Sequence, residues 1–313
     1  MNPSLRVALV FPGQGAQYTG MGRDIYDAFP AARAVFDLAD KVLGFAISRL
    51  CFEGPDDELR QTAVAQPAIV TFSLALLAAI RQSSWPITAE YTAGHSLGEY
   101  SALAAAGAVS FAEVIWLARR RGELMQRVVD KNSGAMSAVF GLDRSSLETI
   151  CQETGVFIAN YNSADQTVLS GHPSSVQAAS ALARERGARR VAPLRVGGAF
   201  HTPMMISAAR SLATAIGQIK WADPSPPVIA NTTGMPIFRI SNVKKELARQ
   251  LTHPVRWQES VETMIAMGIN TFVEIGPGQV LTGLIRHSCP TTRALSLSKS
   301  ATLSKYLTKG LAA

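Results

Sequence analysis

The stretch Tyr91-Thr92-Ala93-Gly94-His95-Ser96-Leu97-Gly98-Glu99-Tyr100 decides the fold class. Its first four residues read as a short strand, and the run from Tyr100 to Ala112 is apolar enough for a buried helix. Between them, Gly94-His95-Ser96-Leu97-Gly98 fits G-x-S-x-G, a sharp turn that pushes a serine outward at a helix N-terminus. Glycines flank the serine because larger neighbours would clash there. Strand, tight turn and helix in that order are an α/β signature.

The same rhythm recurs at both ends of the chain. Arg6 to Phe11 reads as a buried strand stopped by Pro12-Gly13, and Ala31 to Leu43 as a helix. A further helix is expected after Gln66, with Pro67 in its first turn. From Gly134 the pattern changes. Ala135–Leu142, Val156–Tyr161, Thr167–Ser170 and Arg189–Val196 read as strands, with helices at Ser145–Thr154 and Ser174–Arg186. That is β-α-β-β-α-β, the ferredoxin-like order. Elements of the first type return after Gly197-Gly198: helices at Met204–Ile216, Val243–Leu251, Ser260–Met267 and Gln279–His287, and a strand at Thr271–Ile275. The expectation is a parallel-sheet domain formed by residues 1–132 and 197–313, interrupted by a ferredoxin-like small domain at 133–196.

Composition agrees with a folded globular protein. The 313 residues are 47% hydrophobic and 17% charged, too apolar for a disordered chain and too long for a small module. The longest uncharged runs, Ala68–Ile80 and Tyr100–Ala112, fall short of the roughly 20 residues that span a bilayer, so no membrane association is expected. Val7–Phe11 is too short for the core of a signal peptide. Cys51, Cys151 and Cys289 show no metal or disulfide spacing, which fits a reducing cytoplasm, with no bound metal expected. The net charge of +7 raises nucleic acid as a partner, but its excess sits in two places. Arg286, Arg293, Lys299, Lys305 and Lys309 form an acid-free C-terminal segment; Arg184, Arg186, Arg189, Arg190 and Arg195 cluster against Glu185. Neither has the interleaved aromatics that stack bases, so no nucleic acid is expected.

Ser96 is the candidate nucleophile, and the turn that carries it offers the main-chain N–H of Leu97 to an oxyanion. Serine at its free pKa needs a base. Of five histidines, His95 reads as a packing or hydrogen-bonding neighbour of Ser96, His172 as a helix start, and His253 and His287 as exposed. His201, in Gly197-Gly198-Ala199-Phe200-His201-Thr202-Pro203, lies at a strand-to-helix junction and is either the base or a satisfied core histidine. No acid stands out as a third member. Gly13-Gln14-Gly15-Ala16-Gln17 matches no nucleotide loop; it is either an ordinary turn or the donor of a second oxyanion N–H.

These residues resemble one family: malonyl-CoA:acyl carrier protein transacylases and the acyltransferase domains of polyketide synthases. The resemblance rests on Phe11-Pro12-Gly13-Gln14-Gly15-Ala16-Gln17, Gln66-Pro67-Ala68, Gly94 to Tyr100, Arg121-Gly122, Ala159-Asn160-Tyr161-Asn162, Gly198-Ala199-Phe200-His201, Pro254-Val255-Arg256-Trp257 and Glu274-Ile275-Gly276-Pro277-Gly278. It runs to about Arg286. It implies an α/β-hydrolase-like large domain carrying a ferredoxin-like small one. It also implies roles: Ser96 as acylated nucleophile, His201 as general base and acid, and the N–H groups of Leu97 and Gln14 as oxyanion hole. Arg121 is implied to hold the malonyl carboxylate, and the backbone carbonyl of Gln250 to orient His201 in place of an acid. Phe200 in an Ala-Phe-His context goes with malonyl, whereas Ser in Tyr-Ala-Ser-His goes with methylmalonyl.

The implied reaction is a ping-pong transfer of malonyl from malonyl-CoA to the phosphopantetheine thiol of an acyl carrier protein or polyketide carrier domain. The resemblance implies no cofactor beyond these substrates, and a cytoplasmic monomer is expected. A proofreading hydrolase of carrier thioesters on the same fold is the alternative. A non-catalytic carrier-docking module is a third reading, disfavoured by the combination of Ser96, His201 and Arg121. Arg121 also has a physical logic of its own. Two members of Arg119-Arg120-Arg121 are expected on a solvated face, whereas a guanidinium in a dry acyl pocket calls for a carboxylate that meets its planar fork.

Overall fold

Val7-Ala8-Leu9-Val10-Phe11 is apolar at every position and buried at every position, as a central parallel strand covered on both faces requires. In the computed structural model, which describes residues 5–83 and 87–309, this strand is β1. It is followed by β2 (Tyr91–Gly94), β3 (Ala135–Phe140), β4 (Phe157–Ser163), β5 (Gln166–Gly171) and β6 (Arg190–Pro193). The remaining strands are β7 (Val228–Ile229), β8 (Pro236–Ile237), β9 (Val255–Arg256), β10 (Thr271–Ile275) and β11 (Arg293–Leu297). The larger sheet has the order β11-β10-β1-β2-β7-β8. All its pairings are parallel except that of β7 with β8. Phe11 lies beside Gly94, so the loops leaving β1 and β2 emerge together at the carboxyl edge of the sheet, where open α/β sheets bind ligands.

The second sheet, β6-β3-β5-β4-β9, contains the four antiparallel strands of the ferredoxin-like unit. It also has a fifth strand that the sequence reading did not place. β9 comes from outside residues 133–196 and pairs in parallel with β4, with Asn160 beside Val255 and Tyr161 beside Arg256. It covers backbone N–H and C=O groups that the edge of β4 would otherwise leave unpaired. One face of the sheet packs on its own helices through Val139, Ile158 and Leu169. The alternate residues Met136, Ala138 and Val168 face the main core.

Two helix expectations need correction. The helix expected to open at Pro67 begins at Thr62 and runs to Arg81, placing Pro67 in its interior. Proline has no N–H for the carbonyl four residues back, and here that carbonyl, on Ala63, accepts from Arg119 Nη1 at 2.9 Å. At 20 residues this helix is long and apolar enough to cross a membrane, but 89% of its apolar window is buried inside the protein. The apolar run Tyr100–Ala112 is not one helix. A helix ends at Ala105, Gly107 takes a left-handed φ of 70°, and Ser110 caps the next helix, Phe111–Lys131, by accepting from Glu113 N–H. Beyond Arg286, where the resemblance faded, β11 extends the main sheet and the helix Ser300–Lys309 follows it.

Candidate active site

Three glycines let two loops nest at the carboxyl edge. A Cβ on Gly94 would lie 1.9 Å from the Gly98 carbonyl carbon, one on Gly98 2.0 Å from Phe11 O, and one on Gly13 2.5 Å from His95 O. Ser96, between them, has a φ of 52°, in the left-handed region that a residue with a Cβ enters only when its surroundings hold it there. The holding groups are side-chain amides. Asn231 Oδ1 accepts from Ser96 N–H at 2.6 Å while its Nδ2 donates to Gly94 O at 2.7 Å, and Gln250 Nε2 donates to Ser96 O at 3.0 Å.

His201 stands opposite, with a left-handed φ of 60°. The segment before it packs closely on Gly134, where a Cβ would lie 2.1 Å from Ala199 N. Its Nδ1 lies 2.9 Å from the backbone carbonyl of Gln250 and its Nε2 2.8 Å from Ser96 Oγ. A carbonyl only accepts, so the ring proton sits on Nδ1 and the Nε2 lone pair faces the serine hydroxyl. Burial, with Arg121 nearby, pushes the imidazole pKa down to about 3. It is therefore neutral, and able to take a proton, at physiological pH.

Arg121 completes the group. Arg119 and Arg120 both pair with Glu123 on the helix surface, while Arg121 is 1% exposed. It donates to Ser96 Oγ at 3.0 Å, to Gln66 Oε1 at 2.9 Å and to Gln250 Oε1 at 3.0 Å, and pairs with no carboxylate among the described residues. A buried cation held only by neutral acceptors beside a nucleophile is a site made for an incoming anion.

The other candidates fall as follows. The main-chain N–H groups of Leu97 and Gln14 have no hydrogen-bond partner among the described residues. Both leave the carboxyl edge beside Ser96, the Gln14 loop being tied there by the Gly13–His95 approach. Gln14 also exchanges side-chain hydrogen bonds with Thr62 and Gln66. The Phe200 ring packs over Gly198 and into the core, next in sequence to His201. His95 bonds Asn162 at 2.8 Å and packs near Trp257, the packing and hydrogen-bonding role expected of it.

Three residues of the site have no role in the sequence reading. Gln66 lay inside a quoted motif as a bare match; Asn231 lay in none. Glu99, the residue after the G-x-S-x-G turn, is 1% exposed. Its carboxylate accepts from Asn231 N–H and from Gln250 Nε2. Burial, with Glu246 nearby, pushes its pKa well above the usual carboxylate range. A cavity of about 710 Å³ lies elsewhere, between Tyr18, Gly278 and the C-terminal helix, and Arg286, Arg293, Lys299 and Lys305 line it without an acid.

Comparison with known proteins decides the family. A family model described as acyl transferase domain matches residues 8–306. The chain belongs to the acyl transferase domain family. The match extends 20 residues past Arg286, so the C-terminal strand and most of the last helix are part of it. This acyltransferase is 42% identical to the malonyl CoA-acyl carrier protein transacylase of Bacillus subtilis over 95% of both chains. It is 38% identical to that of Escherichia coli K12 over 96% of this chain and 98% of the relative. Among solved structures it is similar to an acyl-carrier-protein-S-malonyltransferase from Bartonella henselae, with TM-score 0.94, 38% identity, and coverage of 97% and 99%. It is equally similar to the malonyl-transacylase of the PlMCAT:AntF complex, solved with its type II PKS acyl-carrier protein: TM-score 0.94, 37% identity, coverage 97% and 100%.

Proposed function

We propose that this acyltransferase moves a malonyl group from malonyl-CoA to the phosphopantetheine thiol of an acyl carrier protein through an ester on Ser96. The observation that carries this is the convergence of a neutral imidazole and an unpaired buried guanidinium on one serine oxygen. His201 Nε2 takes the Ser96 proton as Oγ attacks the thioester carbon. The N–H groups of Leu97 and Gln14 receive the oxyanion. Collapse breaks the carbon–sulfur bond, and the protonated His201 returns its proton to the departing CoA thiolate. In the second half the carrier thiol gives its proton to His201 and its sulfur attacks the ester, and Ser96 leaves with that proton.

Arg121 turns its fork to the malonyl carboxylate throughout. A plain acyl chain would leave the guanidinium unpaired in a dry pocket, a cost of roughly 3–5 kcal/mol. Phe200, beside the base, limits space at the malonyl α-carbon; excluding one methyl group is worth only ~1–3 kcal/mol, so some methylmalonyl transfer is expected. Residues 133–196 act as a small domain beside a catalytic domain of 1–132 and 197–313, in a cytoplasmic, monomeric enzyme that needs no cofactor beyond its substrates. The acid-free basic cavity and the exposed Arg189 attract the polyanionic CoA and acidic carriers.

The names of the relatives support the transferase and lend nothing to the hydrolase. The test is product analysis: with malonyl-CoA and holo carrier, malonyl-carrier forms faster than free malonate. Predominant malonate would establish the hydrolase instead.

A further inference from the structure

Among the described residues Glu99 hydrogen-bonds none of Ser96 Oγ, His201 and the Arg121 guanidinium, though it is buried and its charge acts on the guanidinium. Its two oxygens are divided between two donors. Oε1 accepts from the main-chain N–H of Asn231 at 3.2 Å, and Oε2 accepts from Gln250 Nε2. Gln250 Nε2 spends its second hydrogen on Ser96 O at 3.0 Å, so the amide oxygen is turned to Arg121 Nη2, also at 3.0 Å.

A side-chain amide has two orientations, and its neighbours decide between them. Turned the other way, Gln250 would set its oxygen against the Ser96 carbonyl and the Glu99 carboxylate. Its NH₂ would then face a guanidinium that can only donate. Glu99 adds a third bar to that alternative: the two N–H bonds it accepts oppose the burial that raises its pKa, and the carboxylate they favour accepts on both oxygens and donates on neither. We propose that Glu99 is a positioning residue for acyl selectivity: it fixes the Gln250 amide with its oxygen toward Arg121, and thereby holds the guanidinium where the malonyl carboxylate is read.

The isosteric change Glu99→Gln tests this. A glutamine there has one acceptor and one donor for two donors, so it satisfies Asn231 N–H only by presenting NH₂ to Gln250 Nε2, and the two facing donors push the Gln250 amide out of place. Arg121 Nη2 then loses the acceptor that holds it. Acetyl transfer makes no use of the guanidinium fork, so the loss falls on malonyl.

The readout is the ratio of kcat/KM for malonyl-CoA to that for acetyl-CoA with holo carrier. A ratio does not depend on how much of the preparation is folded, so a merely destabilised variant leaves it unmoved. Losing a hydrogen bond to a charged group predicts a fall on the order of tenfold or more. Glu246→Gln is the control. Glu246 is also a buried carboxylate, near Glu99, but it bonds Thr232 N–H and Oγ1 at 2.8 and 2.5 Å and not Gln250, and losing its charge only eases the ionisation of Glu99, so its ratio does not fall. If Glu99→Gln yields no folded protein, Glu99→Asp, one methylene short of Gln250, is measured in its place with the same expectation. A wild-type ratio in the Glu99 variant, or an equal fall in Glu246→Gln, overturns the proposal. The proposal rests on malonyl transfer being the activity; a wild-type enzyme that transfers no malonyl refutes that reading instead.

Discussion

Replacing Arg121 by methionine keeps most of the side-chain volume and removes the charge, which isolates what the guanidinium does. In the protein Arg121 is 1% exposed and its partners, Gln66, Gln250 and Ser96, are all neutral. A malonyl carboxylate entering the pocket of the variant loses its water and gains no counter-charge. Breaking a buried ion pair from one side costs about 3–5 kcal/mol. At about 1.4 kcal/mol per tenfold, kcat/KM for malonyl-CoA should fall by roughly two to four orders of magnitude. Acetyl-CoA carries no carboxylate, so its transfer should fall less than tenfold or rise, because no unpaired charge remains beside the acyl group. The assay is transfer to holo carrier, followed by mass spectrometry of the carrier with both donors. It is run at pH 8, where His201 is neutral with or without the nearby cation. Equal loss with the two donors would refute the reasoning, since it would mean that Arg121 supports the nucleophile rather than reading the carboxylate.

Other consequences follow from the same geometry. His201 is held far below its ordinary pKa, so it keeps its lone pair as the medium is acidified; the acid limb of kcat/KM should lie well below pH 6.5. Removing the Arg121 charge, one of the causes of that depression, should move the limb to higher pH, and a limb that stays put or moves down contradicts the assignment. Gly94→Ala places a methyl 1.9 Å from the Gly98 carbonyl carbon and should reach or exceed the ~1–3 kcal/mol typical of overpacking, read as a lowered Tm. Neutralising Arg189 and Arg190 together should raise KM for the carrier more than KM for malonyl-CoA. Arg189 pairs with Asp165 and Arg190 lies over the Phe140 ring, and an equal or absent effect would show that these contacts are their whole role.

What the sequence disclosed and what it withheld follow from how local each feature is. Ser96 could be read because strand, glycine, serine, glycine and helix are consecutive, and the clash that requires Gly94 arises within that turn, against Gly98. His201 stayed ambiguous on its own residues, since its role depends on a serine 105 positions away. The backbone carbonyl of Gln250 came with the family resemblance, but the work of its side chain did not. A glutamine in the apolar-periodic helix Ile240–Gln250 carries no mark of facing three partners at once. Asn231 sits in a loop after a two-residue strand, too short to show periodicity. The same brevity hid β9, whose two residues join the second sheet only because β4 exposes an edge. Pro67 was misplaced because the group that tolerates it, Arg119, is on another helix. The longer β11 was missed because its burial follows neither a clean alternation nor a continuous run.

The central claim is that malonyl rests on Ser96 between donor and carrier. Intact-protein mass spectrometry after brief mixing with malonyl-CoA alone tests it most directly. The account predicts a gain of one malonyl group, lost on adding holo carrier as malonyl-carrier appears, and no gain in Ser96→Ala. A malonyl adduct that persists in Ser96→Ala, or transfer to the carrier with no adduct at any time, would contradict it.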